Sequence, residues 1–433
     1  MDCVMSYGTR GIAIPFPVEW DVTILTKKRM PVSGDPHAVI RAALDAPLGS
    51  ASLKEEARGC ASACILVCDI TRPVPNGLVL RPVIEALLAA GLQAKTITLL
   101  VATGLHRPNE GRELAEVIGD AWVLERVNAA NHFARKDDDH RFVGTTRQGV
   151  PVRIDRRFLE ADLRIAVGLV EPHFMAGWSG GRKLILPGIA HADTIAAFHS
   201  GRMLGHPRAA TCILEGNPLH EAQLETLGMV GRTLGVNLVI DETRALSFAS
   251  FGGIKESHDA AVRFADPYFR LPVPRRFPVV LSSGAGFPLD ATYYQAVKGI
   301  CCGASILAPG GDLFVVSACS EGFGSADFRA AQERLCRGGR ERFRAEAASR
   351  PRAHVDEWET TMLLKALDSG TVHLFSEGLT EEEHALTGAV RIIDLPGELR
   401  AAVERSPGRR CAVLPEGPYV APEVRPDAEG GSS

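Results

Sequence analysis

Short, nearly uninterrupted apolar runs recur along this chain, each closed by a polar or glycine-bearing turn and followed by a helical pattern. ILVCD (65–69) precedes the apolar helix pattern LVLRPVIEALLAAG (78–91), and KTITLLVA (95–102) precedes the Gly104–Pro108 turn and a helix through ELAEVIG. Such runs, bounded by turn signals, have the pattern of buried strands. DLRIAVGLV (162–170) adds another. Strands that alternate with helices imply a parallel sheet with right-handed crossovers, whose ligands sit beyond the carboxyl ends of the strands. Three of these ends deliver polar residues: Asp69–Arg72, Thr103–His106 and Glu171–His173.

A chain of 433 residues exceeds what one hydrophobic core serves, so two domains are expected. The first is placed at 1–270, continuing through NLVID (237–241) and a helix around His258–Tyr268. LPVPRRFP (271–278) reads as a linker, because proline interrupts helix and sheet alike. A second α/β domain is placed at 279–417, with strands at VVLSSG (279–284), GGDLFVVS (310–317), TVHLF (371–375), VRIIDL (390–395) and CAVLP (411–415). A helix is expected from about Thr292 to Leu307, and the tail 418–433 is expected to be mobile. The fold class is therefore α/β, as two α/β domains with mostly parallel sheets.

The charge of −4 and pI near 6.4 give no electrostatic footprint for nucleic acid or an anionic membrane. No apolar run reaches membrane-spanning length, and the first residues lack the pattern of a signal peptide. The ten cysteines form no disulfide framework and no C-x-x-C pair, which suits reduced thiols in a cytoplasm. Small-molecule chemistry remains.

The segment Glu171-Pro-His-Phe-Met-Ala-Gly-Trp-Ser-Gly-Gly-Arg-Lys183 concentrates that chemistry. Its Gly-Ser-Gly-Gly turn lets backbone approach a ligand closely. The spacing of Gly177, Gly180 and Lys183 is wrong for a triphosphate-binding loop. Lys183, just past the turn and ahead of the apolar LILPGI, is expected to be a partly buried amine, which loses its proton readily and becomes nucleophilic. His106 and His173, each after a strand, suit opposed acid and base roles. Arg72 offers a guanidinium that holds a carboxylate with two parallel hydrogen bonds, or else forms a structural ion pair. His199, on the helix after HADTIAAF, lacks sequence neighbours for a zinc motif, so a metal there takes much of its coordination from a non-protein ligand. In the second domain Gln295 and Lys298 share a helix face, joined by Tyr294. This face points into an interdomain cleft or into solvent. Trp358, in DEWETTMLL, reads as core or cleft wall.

At these residues the chain resembles the nickel-dependent lactate racemase family. The likeness runs from Tyr7-Gly8 and PLGSASL (47–53) through DITRPVP, ATGLHR and EPHFMAGWSGGRKLILPGI to YYQAVKG and Trp358. It implies a nickel-pincer nucleotide in an interdomain active-site cleft, attached covalently through Lys183 and ligated at nickel by His199. It further implies His106 and His173 as the catalytic acid/base pair, with Asp69, Thr71 and Arg72 against the cofactor. Arg72, Tyr294, Gln295, Lys298 and Trp358 become contacts to a small 2-hydroxy acid substrate, and pincer-biosynthesis proteins become partners. The implied reaction inverts C2 by moving hydride to the cofactor and back, and lactate, malate-like, aryl and sugar acids all remain candidate substrates. A carboxylate- or cofactor-binding protein without turnover is the alternative on the same fold. A zinc hydrolase or NAD oxidoreductase is disfavoured, because zinc spacing and a G-x-G-x-x-G after a strand are both missing.

Overall fold

The computed structural model describes residues 2–425 and divides into two compact units. The first comprises Arg29–Phe198 and Ile213–Asp266; of the described residues, the second comprises 2–28, His199–Cys212 and 267–425. This differs from the linear division at 270 and 279. The chain enters and leaves the second unit more than once, which local sequence patterns do not register.

In the first unit a six-stranded sheet has the order Leu246–Gly253, Leu234–Ile240, Leu163–Leu169, Ala63–Cys68, Ile97–Ala102, Asn128–Asn131. All neighbours are parallel except the pair of Leu246–Gly253 with Leu234–Ile240. Helix Asn76–Ala89 carries the chain from strand Ala63–Cys68 to strand Ile97–Ala102 and buries Val79, Leu80, Val83, Ile84 and Leu87. These pack with Ile65, Val67, Leu99 and Val101 from the strands. Each such side chain, fully withdrawn from water, contributes about 1.5–3 kcal/mol.

The second unit's sheet is wholly parallel: Val390–Arg391, Gly370–Phe375, Leu307–Val316, Phe277–Ser283, Arg410–Leu414, Asp21–Ile24. Alternate residues of one strand point to opposite faces. Val280 therefore joins the core with Val297, Ile300 and Leu363, while Val279 and Leu281 join Leu399, Val403 and Val413. With helices on both faces, neither face can be polar, and the strands read as continuous apolar runs.

Several boundaries move. LPVPRRFP is not a linker: Arg270–Val273 forms a parallel two-stranded ribbon with Ala421–Val424, and Phe277 opens a central strand. Proline is tolerated in such an edge ribbon because one side of each strand needs no ladder hydrogen bond. The same ribbon orders the start of the tail expected to be mobile; residues 426–433 lie outside the described residues. VRIIDL holds only a two-residue strand, since Asp394 caps a helix at Leu395–Arg405 by accepting from Gly397 N–H at 3.1 Å. The helix expected at Thr292–Leu307 spans Tyr293–Ala304, capped by Thr292, and Leu307 already belongs to the next strand.

Candidate active site

Strands Leu163–Leu169, Ala63–Cys68 and Ile97–Ala102 are parallel neighbours, so Glu171, Asp69 and Thr103 emerge at one edge of the sheet. Asp69 is buried and organises that edge. One carboxylate oxygen meets His106 Nδ1 at 2.6 Å and the other accepts from the Thr71 hydroxyl at 2.6 Å. Burial raises the proton affinity of this carboxyl, but the hydrogen bonds from His106 and Thr71 and the charges of His106 and Arg72 outweigh it, holding Asp69 below the usual carboxylate range. Because the carboxylate only accepts, His106 Nδ1 is the donor, and Nε2, on a side chain that is 63% exposed, keeps its lone pair in the neutral ring.

Arg72, three residues on, is ion-paired to Glu171 across the neighbouring strand end. That charge lifts the guanidinium above its ordinary value, although burial opposes it. The structural ion pair and a substrate role are compatible here, since only Nη1 binds Glu171 and the guanidinium has five N–H donors. Asn109 completes the loop. Its side-chain oxygen accepts from Ile70 N–H at 3.2 Å, and its backbone exchanges hydrogen bonds with the Asn131 amide at 2.9 and 2.8 Å.

His173 carries its proton differently. Its Nδ1 accepts from the backbone N–H groups of Met175 at 3.3 Å and Ala176 at 3.1 Å, so the neutral ring is protonated at Nε2. The two histidines at this sheet edge thus present opposite functions at Nε2, an acceptor on His106 and a donor on His173.

The turn after His173 is tightly determined. Ser179 Oγ donates to Leu169 O at 2.7 Å and accepts from Glu171 N–H at 2.9 Å. Gly177 has φ of +78°, and a Cβ there would lie 2.2 Å from Ile213 O; Gly180 has φ of +79°, and its Cβ would lie 2.6 Å from Val170 Cγ2. Both places require glycine. Beneath the turn, buried Arg182 donates to the His258 ring, whose Nε2 is 2.9 Å from Ser179 O. Gly181–Leu184 then forms a single 3-10 turn that presents Lys183. Lys183 is half-buried, and burial together with the neighbouring Arg72 charge pulls its amine down to about 8.

In the second unit His199 lies one residue past helix Ala192–Phe198, with its ring 5.0 Å from that of Trp358. Trp358 Nε1 donates to the Tyr294 hydroxyl at 3.1 Å, and Lys298 Nζ donates to Gln295 Oε1 at 2.5 Å. All five residues singled out in this unit therefore fall into two contact groups on helices Tyr293–Ala304 and Glu357–Leu367 and the turn at His199. Asp69, Thr71, Arg72, His106, His173 and Lys183 belong to the first unit's sheet edge.

Sequence reasoning missed the supporting residues Asn109, Ser179, Arg182 and His258, and the acidic pair Asp356 and Glu359. Ser179 and Arg182 lay in the segment already singled out. Glu359 carried no signal, because an acidic residue in DEWETT reads as solvated, yet it is 1% exposed.

Two family models match this chain, that of the lactate racemase N-terminal domain over residues 7–212 and that of the lactate racemase C-terminal domain over 275–412. Lactate racemase of Thermoanaerobacterium thermosaccharolyticum is 31% identical over 324 residues, spanning 74% of this chain and 75% of that protein. Lactate racemase of Lactiplantibacillus plantarum is 32% identical over 289 residues, spanning 67% and 68% respectively. The structure of the lactate racemase apoprotein from T. thermosaccharolyticum matches with a TM-score of 0.88 at 27% identity, covering 98% of this chain and 100% of that one. A Thermotoga maritima protein shares the fold at a TM-score of 0.66 and 15% identity, covering 92% and 100%. Among the described residues no helix is long and apolar enough to cross a membrane. With both halves matched and relatives above 30% identity across most of its length, the chain belongs to the lactate racemase family of isomerases.

Proposed function

We propose that this protein inverts C2 of a 2-hydroxy acid, using a nickel-pincer nucleotide attached through Lys183 and ligated at nickel by His199. The observation that carries the reading is the pair of opposite Nδ1 environments at one sheet edge, a carboxylate on His106 and two backbone N–H groups on His173. His106 Nε2 can take the proton of a 2-hydroxyl, while His173 Nε2–H can hold the oxygen from which it leaves.

The residues present fit the cofactor. Lys183 combines partial burial with an amine pulled to about 8, so a useful fraction is nucleophilic near neutral pH. Among the described residues no three His, Cys, Asp or Glu side chains form a metal site. A nickel ion on His199 would therefore draw its remaining donors from the cofactor, whose sulfurs suit a late transition metal. When bound, the cofactor supplies a hydride acceptor and donor for C2.

The chain's own residues do the rest. Arg72 and Lys298 bind the substrate carboxylate, with Gln295, Tyr294 and Trp358 shaping its surroundings. Asp69 and Thr71 border the cofactor, and Asp69 also fixes the His106 ring. His106 Nε2 would take the hydroxyl proton, and the cofactor held by Lys183 and His199 would supply the hydride acceptor at C2. The same group would supply hydride to the opposite face, and the proton held on His106 Nε2 would return to oxygen, which would complete inversion. His173 takes a second proton, at Nδ1, only by releasing the Met175 and Ala176 amides. His106 has no such opposition, because its Nδ1 already donates to Asp69 Oδ2. Pincer-biosynthesis proteins would supply the cofactor.

The test is chiral analysis of a panel of L- and D-2-hydroxy acids incubated with protein loaded by coexpressed pincer-biosynthesis enzymes. Inversion of at least one member, abolished in His106→Ala, is expected. If mass spectrometry shows the cofactor on Lys183 and nothing in a broad panel inverts, the racemase reading fails and the non-catalytic cofactor-binding alternative takes its place.

A further inference from the structure

Helices Tyr293–Ala304 and Glu357–Leu367 are pinned together at two points. Trp358 Nε1 donates to Tyr294 OH at 3.1 Å, and the Cys301 thiol lies 3.5 Å from Met362 O. Lys298 sits between Tyr294 and Cys301 on one helix, and Glu359 sits between Trp358 and Met362 on the other. Glu359 is 1% exposed, and its Oε1 has no hydrogen-bond partner among the described residues. A buried carboxyl oxygen without a partner is costly, and most of that cost disappears if the group is neutral.

The charges around it are few. Lys298 acts on Glu359 as the opposing cation, while Asp356, at the start of its own helix, acts as a like charge. Tyr294 and Cys301 face it from the Lys298 helix, and burial keeps both in their neutral forms. Arg334 and Arg350, from helix Ala326–Gly338 and the segment before Glu357, are both committed to Glu357. On the remaining elements against this helix, His373 is paired with Asp312 at 2.8 Å, Arg340 donates to Leu367 O, Arg344 is paired with Asp368, and Arg202 lies on helix Gly201–Leu204.

We propose that Glu359 sets the net charge of the Lys298 subsite, so that seating the substrate carboxylate on Lys298 is accompanied by uptake of one proton by Glu359. The inference rests on the reading of Lys298 as a substrate contact. With Glu359 ionised, its charge already offsets that of Lys298, and an incoming carboxylate would place two anions around one ammonium. With Glu359 protonated, that opposing charge is gone and the full charge of the ammonium acts on the substrate carboxylate. Burial, opposed by the Lys298 charge, raises the Glu359 carboxyl to about 8, so both forms are accessible near neutral pH. The proton goes from solvent to a Glu359 carboxylate oxygen, and no other bond changes. Glu359 is thus a positioning residue for the anion, acting through Lys298.

Two measurements test this together. Racemisation by loaded parent, Glu359→Gln and Lys298→Met proteins is followed from about pH 6.5 to 9.5, with KM and kcat separated. Infrared difference spectra over the same range report protonated carboxyl without substrate. In the parent, a protonated-carboxyl band should fade around pH 8 and KM should climb above that pH, approaching about tenfold per pH unit. Glu359→Gln should lack the band and hold KM level, leaving the shape of the kcat profile unchanged. In Lys298→Met the same band should fade at higher pH, a readout that needs no Glu359 variant to fold. A parent without a protonated-carboxyl band at about pH 6.5 overturns the proposal. So does a KM slope unaltered in Glu359→Gln while Lys298→Met weakens binding, which sinks the role of Glu359 alone. If Lys298→Met leaves KM unchanged, the substrate contact itself is wrong and the inference falls with it.

Discussion

Asp69 and His106, on loops after adjacent parallel strands, are joined at 2.6 Å between Oδ2 and Nδ1. Asp69→Asn keeps the shape but loses the carboxylate that only accepts from Nδ1, and its amide can donate to Nδ1 and fix the wrong tautomer. General acid–base catalysis contributes typically 10²–10⁴-fold, so kcat should fall by about a hundredfold or more with little change in KM. Steady-state kinetics of loaded protein check this, and a variant that lost only KM would assign Asp69 to binding alone.

Lys183 should react with acylating reagents as an amine titrating near 8, because burial and Arg72 favour its neutral form. The reactive form is absent well below that pH and grows as pH rises through it. About a tenth of the amine is then neutral at pH 7, against well under a thousandth for an ordinary lysine. Competitive labelling of cofactor-free protein, read by peptide mass spectrometry, gives the midpoint. Arg72→Ala should move the midpoint upward, since it removes a cation and leaves Glu171 unpaired.

Gly180→Ala should impair cofactor attachment more than it impairs folding. The substitution forces an L-residue into φ of +79° and pushes a methyl to 2.6 Å from Val170 Cγ2. Strain of this kind costs about 1–3 kcal/mol. Urea denaturation should register that loss, and intact mass after coexpression with pincer-biosynthesis enzymes should show reduced loading. Full loading would mean the turn tolerates displacement.

Asp155 is fully buried, caps helix Arg156–Glu160 through Arg157 N–H and pairs with the Arg157 guanidinium at 2.6 Å. Asp155→Ala leaves that guanidinium without its carboxylate and should destabilise the first unit by about 3 kcal/mol. The denaturant midpoint measures it. A shift below about 0.5 kcal/mol would show that Arg157 finds solvent or its bond to Asn131 O sufficient.

The parallel strands were legible because both faces are covered and the sequence cannot alternate. Val279, Val280 and Leu281 are all apolar for that reason. Asp69, His106, His173 and Lys183 stood out because strand ends are where polar residues interrupt such runs. The proton arrangement on His173 was invisible, since it depends on two backbone amides folding back over its ring. Glu359 was hidden because nothing in DEWETT distinguishes a buried acid from a solvated one. The partner of Asp21–Ile24 was equally hidden: Arg410, paired with Asp21, is 389 residues away, beyond the reach of any local pattern.

That last pairing dictates an order of events during synthesis. The sheet of the first unit is finished once Gly253 has been made, whereas the second unit's sheet waits for residues 410–414 to meet strand 21–24. A ribosome adding about 5–20 residues per second needs tens of seconds to close that gap. During that interval the leading segment, whose hairpin Asp2–Met5/Ile12–Pro15 precedes a strand with no neighbour yet, has an exposed pairing edge. A nascent chain of this architecture therefore has its longest window for mispairing and chaperone engagement at strand Asp21–Ile24, long after that strand has left the exit tunnel.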